Sequence, residues 1–309
     1  MKKIVGVGAC VYDTLLVVPE YPEEDTKVKA EKTVTSGGGP VATGLTAAAK
    51  LGGDCAFLGA LATDAAGDFL FSDFARYGVD TRFIQRVQGV SFTSTVLLGL
   101  NAKTRTCVFD RGTVSNFPLT DQMKKAVAEA DVLMVDGNNL ESAAEAAEIA
   151  VKHGVKVLYD AGGLYAGVEK LLPYADYLIP SMEFALKITN AACAQKAAEI
   201  LFERFSPHAV VITMGEKGGV SFDGKKLDSY PAFKVKAVDT NGAGDVFHGA
   251  FAFFLSTGFG LSDCIRYSSA VSALKCTSTG ARAGAPDLQT LKEFLKENGE
   301  EAESLRRLL

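Results

Sequence analysis

The chain has 309 residues, of which 48% are apolar and 22% charged, the make-up of an ordinary globular protein with a substantial buried core. A formal net charge of −5 argues against nucleic acid or an anionic membrane surface as the main partner. Six scattered cysteines without a Cys-x-x-Cys motif speak for reduced thiols and a cytoplasmic setting, and the three histidines show no metal-type spacing.

Along the chain, short apolar runs alternate with helical patterns. Lys2-Lys3 followed by Ile4–Val11 is too short for a signal peptide and breaks at Asp13, so Ile4–Val7 is expected as a first strand. Gly6-x-Gly8 lacks the third glycine of a dinucleotide fingerprint, because position 11 is Val. Further buried strands are expected at Ala56–Gly59, Val132–Val135, Lys156–Tyr159, Tyr177–Ile179 and Val210–Thr213. Helices are expected at Glu141–His153, Gln195–Phe205, Asp245–Ser256, Ser262–Cys276 and Asp287–Asn298, with a charged tail over Glu300–Leu309 that is helical or frayed. This alternation predicts an α/β fold, a mostly parallel sheet covered on both faces, in a single domain over 1–309. Two regions break the rhythm: Val11–Val34, around Pro19 and Pro22, and Thr93–Asp110, a hairpin pattern around Asn101-Ala102-Lys103. Gly219-Val-Ser-Phe-Asp-Gly224-Lys225 begins like a Walker A loop, but Lys226 stands where a Ser or Thr is needed, and Asp223-Gly224 reads as a hairpin turn. No run approaches membrane-spanning length.

Two glycine turns carry the chemistry. Asp239-Thr-Asn-Gly-Ala-Gly-Asp245 runs into a strongly apolar helix. Gly242, Ala243 and Gly244 would offer main-chain amides to an anion at the helix start, where the dipole favours negative charge. Asp245 beside such a cradle fits a base aimed at an incoming hydroxyl, although Asp at this point also serves as a plain cap. The helix start is expected to keep that carboxylate ionised. Ser36-Gly-Gly-Gly39-Pro40 is a second glycine turn, feeding a small-residue helix up to Gly52.

Together the two segments resemble the paired signatures of the ribokinase-like (PfkB) family of carbohydrate kinases, over nearly the whole chain. The Gly-Gly-Gly-Pro-x-Ala-Thr43 variant looks closest to its ketose and sulfo-sugar kinase branch. The resemblance implies a three-layer α/β/α sandwich with a small β-lid built from about 11–35 and 92–111, which often forms a homodimer interface. It implies transfer of the ATP γ-phosphate to a sugar hydroxyl, with magnesium and a potassium-type ion as cofactors. Asp13, in the loop entering the lid, Gly38, Gly39, Thr43, Asp136 and Asn139 are then expected at the sugar. Arg105 and Arg111 are candidates for an anionic substituent on the substrate. Ser181, Thr213, Gly215 and Gly218 are expected beside the nucleotide. Glu183, one place early relative to an Asn-x-x-Glu pattern, is expected to act on magnesium through water, and Asp239 on the potassium-type ion. A nucleoside or sugar-phosphate kinase, or a sugar-binding regulatory module whose chemistry has lapsed, remain as alternatives.

Overall fold

In the computed structural model, residues 3–101, 104–300, 305 and 308 are described. Ala102 and Lys103 of the expected hairpin turn, and most of the expected tail, lie outside the described residues.

The first strand, β1 (Lys3–Val7), is buried from Ile4 onward. The chain then leaves the main sheet for β2 (Val11–Val18) and β3 (Lys32–Gly38), continues as α1 (Pro40–Lys50), and lays β4 (Asp54–Phe57) parallel to β1. Next come β5 (Gly59–Ala62), α2 (Ala65–Arg76) and β6 (Ile84–Val87), a short parallel pair around one helix. The strands β7 (Thr93–Gly99) and β8 (Thr104–Asp110) form the expected antiparallel hairpin. From α3 (Asp121–Ala128) the rhythm is regular: β9 (Val132–Asp136), α4 (Leu140–Lys152), β10 (Lys156–Ala161), β11 (Tyr177–Pro180), α5 (Met182–Thr189), α6 (Ala194–Phe205) and β12 (Ala209–Thr213). A second hairpin, β13 (Gly219–Phe222) and β14 (Leu227–Tyr230), turns at Asp223-Gly224, where Oδ1 of Asp223 accepts from the amides of Lys225 and Lys226. The chain closes with α7 (Ala243–Ser256), α8 (Leu261–Cys276) and α9 (Leu288–Glu297).

The eight-stranded main sheet has the order β14-β13-β12-β11-β10-β9-β1-β4, parallel except at the β12–β13–β14 end. Its strands are apolar on both faces, because helices cover both. Along β9, Val132 and Met134 pack toward the side of α1, α7 and α8, while Leu133 and Val135 pack toward α3 and α4. The same alternation recurs in β10 and β12, giving an α/β/α sandwich with a core on each side of the sheet. The strand expected at Ala56–Gly59 splits at Phe57, where the bare backbone of Gly59 lies against the Phe57 ring.

The two segments that broke the rhythm form one separate four-stranded sheet, order β3-β2-β7-β8. Leu15, Val17 and Val96 make its small core. Its edge strand β8 is exposed throughout.

The helix α7 fixes the site. Every residue from Val246 to Ser256 is buried, because α7 lies between α1 and α8 as well as on the sheet. A glycine on each helix permits the α1 crossing: any Cβ at Gly249 would collide with the Gly44 carbonyl.

Candidate active site

Because the strands of the main sheet run parallel, their carboxyl ends open on one edge, the usual place for a ligand in such sheets. Residues 8–10 after β1, Asp136 at the end of β9 with Gly137–Asn139 after it, Asp160 in β10, Ser181 after β11 and Thr213 at the end of β12 all lie there. The start of α7 faces the same edge: His248 of α7 lies 3.1 Å from Oδ2 of Asp160 in β10 and 2.9 Å from the Ile179 carbonyl of β11.

At that start, Gly242 has φ +76°, a left-handed turn that admits the chain into the helix. Gly244 is exposed with open space in front of it, and its first-turn amide is a donor without an intrahelical partner. The Ala243 amide, expected in the anion cradle, instead donates to the Thr240 carbonyl at 3.2 Å. Asp245 is partly buried. Burial first, then the nearby carboxylates of Asp160, Asp136 and Asp13, push its carboxyl up to about 7, with His248 acting the other way. Against the expected ionised carboxylate, desolvation and like charges raise its proton affinity.

His248, one turn on, brings a ring nitrogen to a carbonyl on each side, Nδ1 to Gly244 at 2.6 Å and Nε2 to Ile179 at 2.9 Å. Burial lowers its proton affinity, and the two carbonyls and Asp245 oppose that. Asp160 was not singled out from the sequence, yet it stands beside His248 with Oδ2 buried and without a hydrogen bond. Burial, then Asp136, holds its carboxyl well above the usual carboxylate range. The signal was available, since Asp160 stands near the end of a strand ahead of Gly162-Gly163, much as Asp136 ends one ahead of Gly137.

The other expected residues divide. Asp13 is a strand residue, not a loop residue: it sits within β2, opposite Ser36 of β3 and Ser94 of β7. The Ser94 hydroxyl donates to its Oδ1 at 2.6 Å, and burial raises its carboxyl. Gly38 gives Asp13 its room, since a Cβ there would collide with Oδ2. Gly39 caps α1 ahead of Pro40. Thr43 is fully buried under Gly242, and its hydroxyl has no partner among the described residues.

Asp136, expected at the substrate, is a strut. Its Oδ2 accepts from the amides of Ala9 and Val41, and its Oδ1 from the amide and side chain of Asn138. Asn139 caps α4 in a left-handed conformation and donates from Nδ2 to the Gly8 carbonyl. The Arg105 guanidinium donates to the Thr240 hydroxyl at 3.2 Å, linking β8 to the turn that feeds α7. Arg111 instead lines a cavity of about 440 Å³, together with Asn138, Asn139, Ser91 and Tyr165.

On the other side of α7, Ser181 caps α5 by accepting from the Phe184 amide, and Thr213 donates weakly to the Pro180 carbonyl. Gly215 and Gly218 form the tight turn into β13, in which the Met214 amide donates to the Gly218 carbonyl. Glu183 does not join the site: its exposed carboxylate pairs with Lys187 at 2.6 Å, because α5 turns it to solvent. Among the described residues no three His, Cys, Asp or Glu side chains converge as metal ligands. Asp239 is buried, but its carbonyl accepts from the Lys275 ammonium at 2.7 Å and its carboxylate from the amides of Asn241 and Gly280. These residues therefore do not fit a potassium ion held by Asp239.

Two more residues were missed. Arg282, in the glycine-rich turn before α9, is 1% exposed and reaches across the molecule to Asp73 at 2.8 Å and to the Gly38 carbonyl at 2.7 Å. Lys275 is 0% exposed.

A family model described as pfkB family carbohydrate kinase matches residues 1–288. A ribokinase from Haemophilus influenzae is 28% identical over 96% of this chain and 99% of its own length. A ketohexokinase from Mus musculus is 28% identical over 90% of this chain and 97% of its own. The structure of Arabidopsis thaliana ribokinase complexed with ribose and ATP superposes with a TM-score of 0.85 at 24% identity, covering 96% of this chain and 98% of that one.

Proposed function

The chain belongs to the pfkB family of carbohydrate kinases, and on that premise we propose that it transfers the γ-phosphate of MgATP to a hydroxyl of a small sugar, with Asp245 as the base. The observation that carries this is the pairing, in the first turn of α7, of the exposed Gly244 amide with the Asp245 carboxyl. The sugar would lie in the cavity bordered by residues 8–10 and Asn138–Asn139, with Asp13 accepting from its hydroxyls. ATP as donor is in keeping with the ribose- and ATP-bound fold neighbour.

In this reading the sugar hydroxyl gives its proton to Asp245 as its oxygen bonds to the γ-phosphorus. The bond from that phosphorus to the β,γ-bridging oxygen breaks and ADP leaves. Phosphoryl transfer is loose, so orientation counts for more than base strength. The amides of Gly242 and Gly244 hold the charge on the transferred group. Magnesium arrives with the nucleotide, on phosphate oxygens and water, and offsets the phosphate charge. The sheet β3-β2-β7-β8 acts as a lid that excludes water from the sugar, and its exposed edge strand β8, with Val108 and Phe109 at 67% and 51% exposure, joins two copies as a homodimer.

A second reading concerns the sugar itself. Arg111 lines the cavity, is ringed by Phe92, Phe109 and Tyr165, and donates to Oδ1 of Asn138 at 2.7 Å. A guanidinium lining the cavity favours a sugar with an anionic substituent. Screening neutral sugars, sugar acids, phosphosugars and nucleosides for stimulated ADP release tests both readings. Turnover with no member of the panel would remove the kinase assignment.

A further inference from the structure

We infer that Lys275 is a built-in monovalent cation of the phosphate-side loops, a positioning residue that takes the place of a potassium ion and makes this protein indifferent to potassium. The inference rests on the kinase reading for its consequence in turnover, but its geometry stands apart from it.

Lys275 lies in the last turn of α8, fully buried, and its ammonium reaches back to the turn that feeds α7. There it donates to the Asp239 carbonyl at 2.7 Å and stands 3.6 Å from Oδ2 of the same residue. Asp239 is the node of two loops. Its Oδ1 accepts from the Asn241 amide and its Oδ2 from the Gly280 amide, both at 2.8 Å. The Cys276 carbonyl, next to Lys275, accepts from the amides of Val238 and Asp239. Beyond the node the loops touch directly, because Gly242 lies against Ala281.

A main-chain carbonyl and a carboxylate converging in a buried place need positive charge between them. A mobile ion supplies it by coordinating oxygen. An ammonium supplies it as a compact point charge with three donors. Here the charge-bearing nitrogen is covalently attached, so the place is filled without drawing an ion from the medium; burial lowers its proton affinity and Asp239 opposes that. A tethered ammonium loses little entropy on arrival, whereas an ion must be drawn from solution at each binding event. The main-chain path from Asp239 to Gly242 is thereby fixed before ATP arrives.

The test uses the full-length protein and the variants Lys275→Ala, Lys275→Met and Lys275→Arg, in tetramethylammonium buffer with and without potassium. Thermal melting is followed first, since it needs no substrate. Wild type is expected to melt at the same temperature with and without potassium. Lys275→Ala, which opens a space at Asp239, is expected to melt lower and to be raised by potassium or ammonium, while Lys275→Met fills the space and gains no such response. In turnover with a sugar that wild type accepts, kcat of Lys275→Ala should fall by about tenfold or more with a smaller change in KM, and recover in part with ammonium. Wild type whose melting point or turnover rises severalfold or by several degrees with potassium would overturn the inference. So would a Lys275→Ala protein with unchanged melting and unchanged kcat in potassium-free buffer. If the Ala variant does not fold, Lys275→Arg, which keeps the charge, and the wild-type titration still decide. Absence of turnover with every sugar would count against the kinase reading, and the melting results would be read independently of it.

Discussion

Oδ2 of Asp160 lies 3.1 Å from Nδ1 of His248, in a pair whose side chains are almost wholly buried, one helical turn from Asp245. Asp245 and His248 each bias the other's protonation. The carboxyls of Asp245 and Asp160 are both raised, each by burial first and by other carboxylates next. The base of the proposed reaction is active only when ionised, so the sign follows: activity is low below its pKa and rises as the proton leaves.

The first prediction is therefore a pH profile. The value of kcat/KM should climb with pH through about 7 and then level, because the Asp245 carboxyl is pushed up to about 7. Replacing the neighbour, in Asp160→Asn, removes a like charge and should move that rise to lower pH. A profile already flat from pH 5 upward would count against Asp245 as the titrating base.

Gly38→Ala should disable the sugar end without unfolding the protein. The added methyl would meet Oδ2 of Asp13 and turn that carboxylate, or its Ser94 bond, out of place. We expect KM for the sugar to rise by about tenfold or more while the KM for ATP changes little. Steady-state kinetics with each substrate varied in turn provides the check.

Arg282→Met should be a stability variant. Its guanidinium pairs with Asp73 in the interior and also donates to the Gly38 carbonyl, so its loss leaves a buried carboxylate uncompensated. Denaturant unfolding should show a loss of about 3–5 kcal/mol. The double variant Arg282→Met, Asp73→Asn should recover part of it, since neither charge then remains unpaired.

Gly249→Ala tests the helix crossing that carries the site. A methyl there runs into the Gly44 carbonyl, so α1 and α7 must separate. A loss of about 1–3 kcal/mol is expected on unfolding. Activity should fall with it, because the first turn of α7 shifts too.

Much of this was legible in the sequence because it is local. A glycine turn, a carboxylate and an unbroken apolar helix are contiguous between Gly242 and Ser256, and continuous apolar runs marked most of the parallel strands. The helices α2, α3 and α5 were not among the expected elements: α3 and α5 have only 8 residues each, whereas α2 has 12. What the sequence hid was long-range. Arg282 and Asp73 are paired across 209 positions, and a lone Arg in a glycine-rich turn looks like a solvated charge. Lys275 at a helix end looks like an ordinary basic residue complementing the dipole, although it is buried against Asp239. Asp136 is the opposite case. Its place after a strand invites a ligand, but only the fold reveals four protein donors already upon it.

The most direct measurement is the turnover of Asp245→Asn with ATP and a sugar that the wild type phosphorylates. The substitution keeps shape and removes the proton acceptor. We predict that kcat falls by about 10²–10⁴-fold while melting temperature and KM for both substrates stay close to wild type. A kcat within a few-fold of wild type would contradict the assignment of Asp245 as the base.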